Sequence, residues 1–208
     1  RIIGVDLNPN AKKWEDYGFE IFIGSQSDEN FWNYFSNEIK GIDVLLDDGG
    51  HTYAQQIITT ECLLDSINDG GILLIEDTCT SYMDGYGPKN KSFIEYVKKR
   101  IDAVNQRFGK FSEKPSEKRF WSIEILESMV AFKIQKDASH QISEVINNGG
   151  KNDLASDFRY ADNSGLQKIE KLQRNLIYLK RIPFFNKTAK YLMNKIANRK
   201  FSANKYFK

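Results

Sequence analysis

The stretch GIDVLLDDGGHTYAQQI, residues 41–57, leads from an apolar run through two adjacent carboxylates and two glycines to the first of only two histidines, then into a segment of helical spacing. A short apolar run closed by polar residues predicts a buried strand over GIDVLLDD, 41–48. The next residues, TYAQQIITTECLLDSIN at 52–68, predict a helix with Ile57, Ile58, Leu64 and Ile67 toward the core and DGG at 69–71 ending it. Gly49 and Gly50 let the backbone turn tightly between the two, and Thr52 is placed to cap the helix.

The same unit recurs outward in both directions. RIIGVDL at 1–7 and FEIFIG at 19–24 read as short strands, and DENFWNYFSNEI at 28–39 as a crossover helix presenting Phe31, Trp32, Phe35 and Ile39. GILLIEDT at 71–78 is a fourth strand, and a helix from about 90 to 108 buries Phe93, Val97, Ile101 and Val104. FWSIEILESMVAFKIQ at 120–135 reads as two strands and a tight turn. Strands alternating with helices imply right-handed βαβ units. The expected fold is therefore α/β, Rossmann-like and doubly wound, with a mostly parallel sheet and an antiparallel C-terminal strand pair.

Composition sets the organisation. At 208 residues and 40% hydrophobic, the chain has enough apolar material for one well-filled core and an appendage. Residues 1–165 hold 18 Lys/Arg against 27 Asp/Glu, whereas 166–208 hold 12 against 1. An acidic body thus carries a basic tail. The expected domains are 1–136 for the body, a polar linker at 137–165 rich in Asn, Asp, Ser and Gly, and a basic amphipathic helical tail at 166–208. In the tail Ile169, Leu172, Leu176 and Leu179 follow a helical seam, and Pro183 interrupts it. The preferred reading is a helix docked on the acidic body or on a second subunit, which would make a homo-oligomer. The alternative is adhesion to an anionic membrane surface through Phe184, Phe185, Tyr191, Leu192 and Ile196 beside the lysines. Nucleic acid is disfavoured, because no recognition motif accompanies the basic residues. Two cysteines, Cys62 and Cys79, without metal-knuckle spacing fit a reducing, cytoplasmic setting. No apolar run approaches the roughly 20 residues of a membrane span.

Ligands of open α/β sheets sit beyond the carboxyl ends of the strands, and the polar residues collect there. Asp6 follows the first strand, Ser25, Gln26, Ser27 and Asp28 the second, Asp47 to His51 the third, and Glu76 and Asp77 the fourth. Asp6 is either a ribose-diol acceptor or a turn former in DLNPN. His51 alone reads as a helix-start residue bonded to a carboxylate. In the company of Asp48, Glu76 and Asp77 it reads as an imidazole beside a hard cation such as Mg2+, because clustered carboxylates repel and neither loop carries a Lys or Arg. A cation beside a histidine activates a substrate hydroxyl as a nucleophile. With a nucleoside cofactor on Asp6, the matching electrophile would be the methyl sulfonium of S-adenosylmethionine (SAM).

The segments GVDLNP, GSQSD, DVLLDDGGHTYAQQI, GGILLIEDTCTSY and SIEILESMVAFKI resemble the class I SAM-dependent methyltransferases, specifically the metal-dependent macrolide-sugar O-methyltransferases of the mycinamicin and macrocin type. The resemblance covers residues 4 to about 134. It implies that Asp48, Glu76 and Asp77 hold the metal and that His51 is the general base. It further implies that Asp6 binds the SAM ribose, that Ser25 to Ser27 lie along the adenine, and that Asp47 faces the methionine end with Tyr82 near the substrate. It also implies that a central strand and a glycine-rich loop are missing ahead of RIIGVDL, through truncation or supply by another segment or copy, leaving the strands at 1–7 and 41–48 without their shared neighbour. The implied reaction is methylation of a sugar hydroxyl in a bacterial glycan, glycolipid or secondary metabolite. Two rivals use the same residues: a metal-dependent hydrolase, and a non-catalytic remnant associating through its tail.

Overall fold

The first strand, β1 (Ile3–Asp6), leads through a 3-10 helix at Pro9–Tyr17 into β2 (Glu20–Ile23), and the two pair in parallel. This is a computed structural model, and it describes residues 1–108, 117–141, 161, 163–175, 187–188, 191, 194–195, 203 and 206–207. Helix α1 (Glu29–Ile39) follows, with the Asp28 carboxylate accepting the Asn30 N–H at 2.9 Å as its cap. Three of its four predicted apolar positions, Trp32, Phe35 and Ile39, are buried, and Phe31 packs partly buried against them. Each such side chain contributes roughly 1.5–3 kcal/mol on burial.

Next come β3 (Ile42–Asp47), α2 (Tyr53–Leu63), β4 (Ile67–Glu76), a 3-10 turn at Thr78–Tyr82, α3 (Phe93–Asn105), β5 (Ser122–Leu126), β6 (Met129–Lys133) and the short α4 (Lys136–His140). The second sheet runs β3-β4-β6-β5, with β3 parallel to β4 and the other two pairs antiparallel. All the expected strands and helices of the body are present, with two corrections around α2.

The helix ends at Leu63, and a 3-10 turn at Leu64–Ser66 hands the chain to β4, so DGG at 69–71 lies inside a strand instead of stopping a helix. The register jumps there, from Ile42 opposite Ile67 to Val44 opposite Ile72. Gly71 fits this bulge because a Cβ would stand 2.7 Å from the Asp43 carbonyl, and Gly70 is left-handed at φ +80°. The second correction concerns the buried face of α2. Tyr53, Gln56, Thr59, Thr60 and Leu63 face inward, while Ile57 and Ile58 are only partly buried and Ile67 belongs to β4.

Although β1 and β3 each pair on one side, they do not pair with each other. They face one another across a groove of about 970 Å3 whose walls include Val5 and Leu45 and whose floor includes Trp32, Phe35 and Leu63. Val44 and Leu46 are 66% and 56% exposed on its β3 side, where a buried parallel strand would show neither. Beyond side-chain packing, the halves are tied by Arg1 Nη1 to the Ile39 carbonyl at 3.1 Å and by the Gln26 amide, which meets Asp47 at 2.8 Å, Thr59 at 3.0 Å and the Gly50 N–H at 2.9 Å.

Away from this groove, four charged side chains brace α2, α3 and the segment before β5. Arg119 donates to Glu61 at 2.6 Å and to Glu117 at 2.8 Å, Arg100 lies 3.3 Å from Glu117, and the Tyr96 hydroxyl donates to Glu61 at 2.6 Å. Burial, the largest single influence, pushes the Glu61 and Glu117 carboxyls up, but the hydrogen bonds and charge of Arg119, the charge of Arg100 and, at Glu61, the Tyr96 hydroxyl together outweigh it and hold both below the ordinary range.

The chain divides into two units, Arg1–Ile146 and Asn147–Lys208. Within the second, helix α5 (Ser164–Asn175) carries Ile169 and Leu172 of the expected seam, and Asn163 accepts the Leu166 N–H at its start. Leu176, Leu179 and Pro183 lie outside the described residues, as do residues 142–160 of the expected linker. Among the described residues no helix is long and apolar enough to cross a membrane.

Candidate active site

The turn after β3 is built from side chains of three elements. Asp47 is buried, and Gln26 Nε2 approaches both of its oxygens at 2.8 Å while the Gly49 N–H donates at 3.1 Å. The same Nε2 lies 3.0 Å from Thr59 Oγ1, and Gln26 Oε1 accepts the Gly50 N–H at 2.9 Å. Burial raises the Asp47 carboxyl above its ordinary range despite donors from Gly49, Thr59 and Gln26. The two glycines serve here by their lack of bulk. Neither has a positive φ, but a Cβ on Gly49 would meet Gln26 Oε1 at 2.4 Å and one on Gly50 would meet Gln55 Oε1 at 2.4 Å. Thr52 then caps α2 in a reciprocal box with Gln55, as its position predicted.

The left-handed residue of this turn is His51, at φ +55°, and the turn after β4 places Asp77 in the same region at φ +52°. For residues other than glycine such backbone costs on the order of 1–3 kcal/mol and persists only where the surroundings impose it. The two side chains meet: His51 Nε2 is 3.5 Å from Asp77 Oδ2 and 3.9 Å from Asp48 Oδ1. One ligand atom from each of Asp48, His51 and Asp77 lies within 4.8 Å of the others, with both aspartates exposed and the histidine half-buried. Two carboxylate oxygens and an imidazole nitrogen converging from separate loops suit a hard divalent cation.

The remaining predicted residues fall into two sets. Asp6, Ser25, Gln26 and Asp47 line the groove between β1 and β3, as does Asp48, which links groove and cluster. Asp6 also does turn work, its Oδ1 accepting the Asn8 N–H at 2.8 Å. Ser27, Glu76 and Tyr82 belong neither to the three-residue cluster nor to the groove lining. Glu76 ends β4, Ser27 donates its N–H to Ser25 Oγ at 3.3 Å, and Tyr82 closes the 3-10 turn with its ring exposed.

Four residues that sequence reading passed over hold these loops. Gln56 Nε2 donates to the Glu76 carbonyl at 2.9 Å, and the Tyr53 hydroxyl lies 3.0 Å from the Thr80 carbonyl and 2.8 Å from that of Met83. Thr59 meets Gln26, and the buried Thr80 hydroxyl reaches the carbonyls of His51 at 3.1 Å and Asp77 at 2.9 Å. The available signal was the stripe Tyr53, Gln56, Thr60 and Leu63, which has helical spacing but polar composition.

No family model matches the chain. It is similar to an 8-demethyl-8-(2-methoxy-alpha-L-rhamnosyl)-tetracenomycin-C 3'-O-methyltransferase of Streptomyces olivaceus, 36% identical over 42% of this chain and 22% of the relative. A second relative, the L-olivosyl-oleandolide 3-O-methyltransferase of Streptomyces antibioticus, is 34% identical over 38% of this chain and 22% of its own length. The mycinamicin VI 2''-O-methyltransferase of Micromonospora griseorubida is 27% identical over 51% and 28%. The chain thus spans 22–28% of the length of these curated relatives. Among solved structures, the MycE methyltransferase from the mycinamycin biosynthetic pathway in complex with Mg, SAH and mycinamycin VI superimposes with a TM-score of 0.62 at 19% identity, over 71% of this chain and 40% of that one. The fold is accordingly Rossmann-like α/β, like that of this methyltransferase, as the alternation of strands and helices predicted.

Proposed function

We propose that this protein is a SAM- and Mg2+-dependent O-methyltransferase that acts on a sugar hydroxyl of a glycan, glycolipid or secondary metabolite in the bacterial cytoplasm. The observation that carries the reading is the convergence of Asp48, His51 and Asp77 at the end of a groove lined by Asp6, Ser25 and Asp47. The relatives, all named as O-methyltransferases of sugar-bearing compounds, support it.

In this reading Asp48 and Asp77 hold the cation together with Glu76, the last residue of β4 and the one before Asp77. When bound, Mg2+ supplies an electrophilic anchor that lowers the pKa of an acceptor hydroxyl. His51 takes the hydroxyl proton on Nε2, the nitrogen that faces Asp77 and Asp48. The acceptor oxygen then forms a bond to the methyl carbon as the carbon–sulfur bond breaks, and the sulfonium becomes a neutral thioether. Asp6 accepts the ribose hydroxyls, Ser25 to Ser27 run along the adenine, and Asp47 faces the methionine end. Tyr82, with its ring exposed, borders the acceptor.

Isothermal titration with SAM, with and without Mg2+, tests the reading. Saturable SAM binding is expected, with methyl transfer to a sugar acceptor abolished in His51→Ala while SAM binding is retained. A folded chain that binds neither SAM nor a divalent cation would overturn it.

A further inference from the structure

Two non-glycine residues in left-handed backbone, on loops 26 residues apart in sequence, bring the candidate cluster together, and one hydroxyl touches both of them. Thr80 Oγ1 lies 3.1 Å from the His51 carbonyl and 2.9 Å from the Asp77 carbonyl, and the residue is buried to 4% exposure. A threonine hydroxyl has a single hydrogen, so this is a three-centre bond shared between two backbones. We propose that Thr80 is a positioning residue that clamps the turn bearing Asp48 and His51 to the turn bearing Asp77, holding the two carboxylates at metal-binding separation with the His51 imidazole beside them.

The clamp is itself anchored. The Thr80 N–H donates to the Asp77 carbonyl at 3.1 Å, and the Tyr53 hydroxyl meets the Thr80 carbonyl from α2 at 3.0 Å. Tyr53 is 1% exposed, and its own N–H donates to the Tyr86 carbonyl at 3.0 Å. Thr80 is thus the point where the helix, the turn after β3 and the turn after β4 are joined by hydrogen bonds. Local hydrogen bonds within either turn do not link them, and His51 and Asp77 touch otherwise only through their side chains at 3.5 Å. A threonine suits the position because its hydroxyl reaches two carbonyls from a buried site; valine has the same shape without the hydrogen.

The proposal rests on the reading of Asp48 and Asp77 as metal ligands with His51 beside them as the base, and two measurements separate its failure from the failure of that reading. The first is backbone chemical shifts of His51 and Asp77 in metal-free protein. Thr80→Val is expected to move both away from left-handed values, and Thr80→Ser is expected to keep them. The second is Mn2+ binding to wild type, Thr80→Val and Thr80→Ser, read by electron paramagnetic resonance well below the unfolding temperature. Thr80→Val should weaken binding about tenfold or more, the range seen when groups that orient metal ligands are lost, and Thr80→Ser should bind within about threefold of wild type. Should Thr80→Val fail to fold, Tyr53→Phe loosens the same clamp from outside and is expected to weaken Mn2+ binding in the same direction. Unchanged shifts or unchanged Mn2+ affinity in the folded Thr80→Val or Tyr53→Phe protein would overturn the clamp. Altered shifts with no Mn2+ binding by wild type would overturn the metal reading and leave the clamp standing.

Discussion

Two groups of carboxylates in this molecule are built to opposite specifications. Glu61 and Glu117 meet Arg100 and Arg119 across ion pairs of 2.6–3.7 Å, with a tyrosine hydroxyl completing the set. Asp48 and Asp77 face a single histidine at 3.9 and 3.5 Å, on loops whose backbone is left-handed at two positions. The first group is internally neutralised, so its charges serve the fold. The second leaves negative charge and strained backbone for something else to satisfy, as sites commonly do.

The largest test of this contrast breaks the first group. Arg119→Met leaves the buried Glu117 with Arg100 alone and is expected to lower stability by about 3 kcal/mol or more, measured by urea denaturation. The same kind of change in the second group should behave in the reverse way. Asp48→Asn should cost at least about a hundredfold in Mn2+ affinity, beyond the effect of an orienting group, yet leave metal-free stability within about 0.5 kcal/mol. Gln26→Met stands between the two: it strips donors from the buried Asp47 and should cost about 1–3 kcal/mol, with a weaker effect on Mn2+ than Asp48→Asn.

The smallest effect is in pH. Glu61 and Glu117 carry folded pKa values held below their ordinary 4.5. Their contribution is fully present above that value and is lost as pH falls through the depressed folded values. Denaturation midpoints should therefore drop on acidification below about pH 4.5, and less steeply in Glu117→Gln, which has one such carboxyl fewer.

The sequence was most readable where structure is local. The apolar spacing of Trp32, Phe35 and Ile39 set α1 correctly, and Thr52 with Gln55 marked the start of α2. DGG misled because the same glycines that stop a helix also make a bulge, and only the approach of the Asp43 carbonyl from β3 decides between them. The site shows the same division. The proximity of Asp48, His51 and Asp77 was readable because carboxylates beside a lone histidine are uncommon, whereas Glu76, expected with them, lies outside the cluster. Thr80 was not, because a threonine hydroxyl shared between two carbonyls 29 and 3 residues away leaves no periodic trace, and Tyr53 and Gln56 left only a helical stripe of polar composition. Glycines 49 and 50 were placed properly but for another reason, with the unusual φ falling on His51 beside them.

A ladder of backbone hydrogen bonds is indifferent to side chains, so the spacing of strands in an ordinary sheet survives almost any substitution on its surface. Gln26 works otherwise: its one amide meets Asp47 at 2.8 Å, Thr59 at 3.0 Å and the Gly50 N–H at 2.9 Å, joining the segment after β2 to the turn after β3 and to α2. A single substitution at position 26 therefore reaches an aspartate, a threonine and a glycine at once, a sensitivity that a strand ladder does not have.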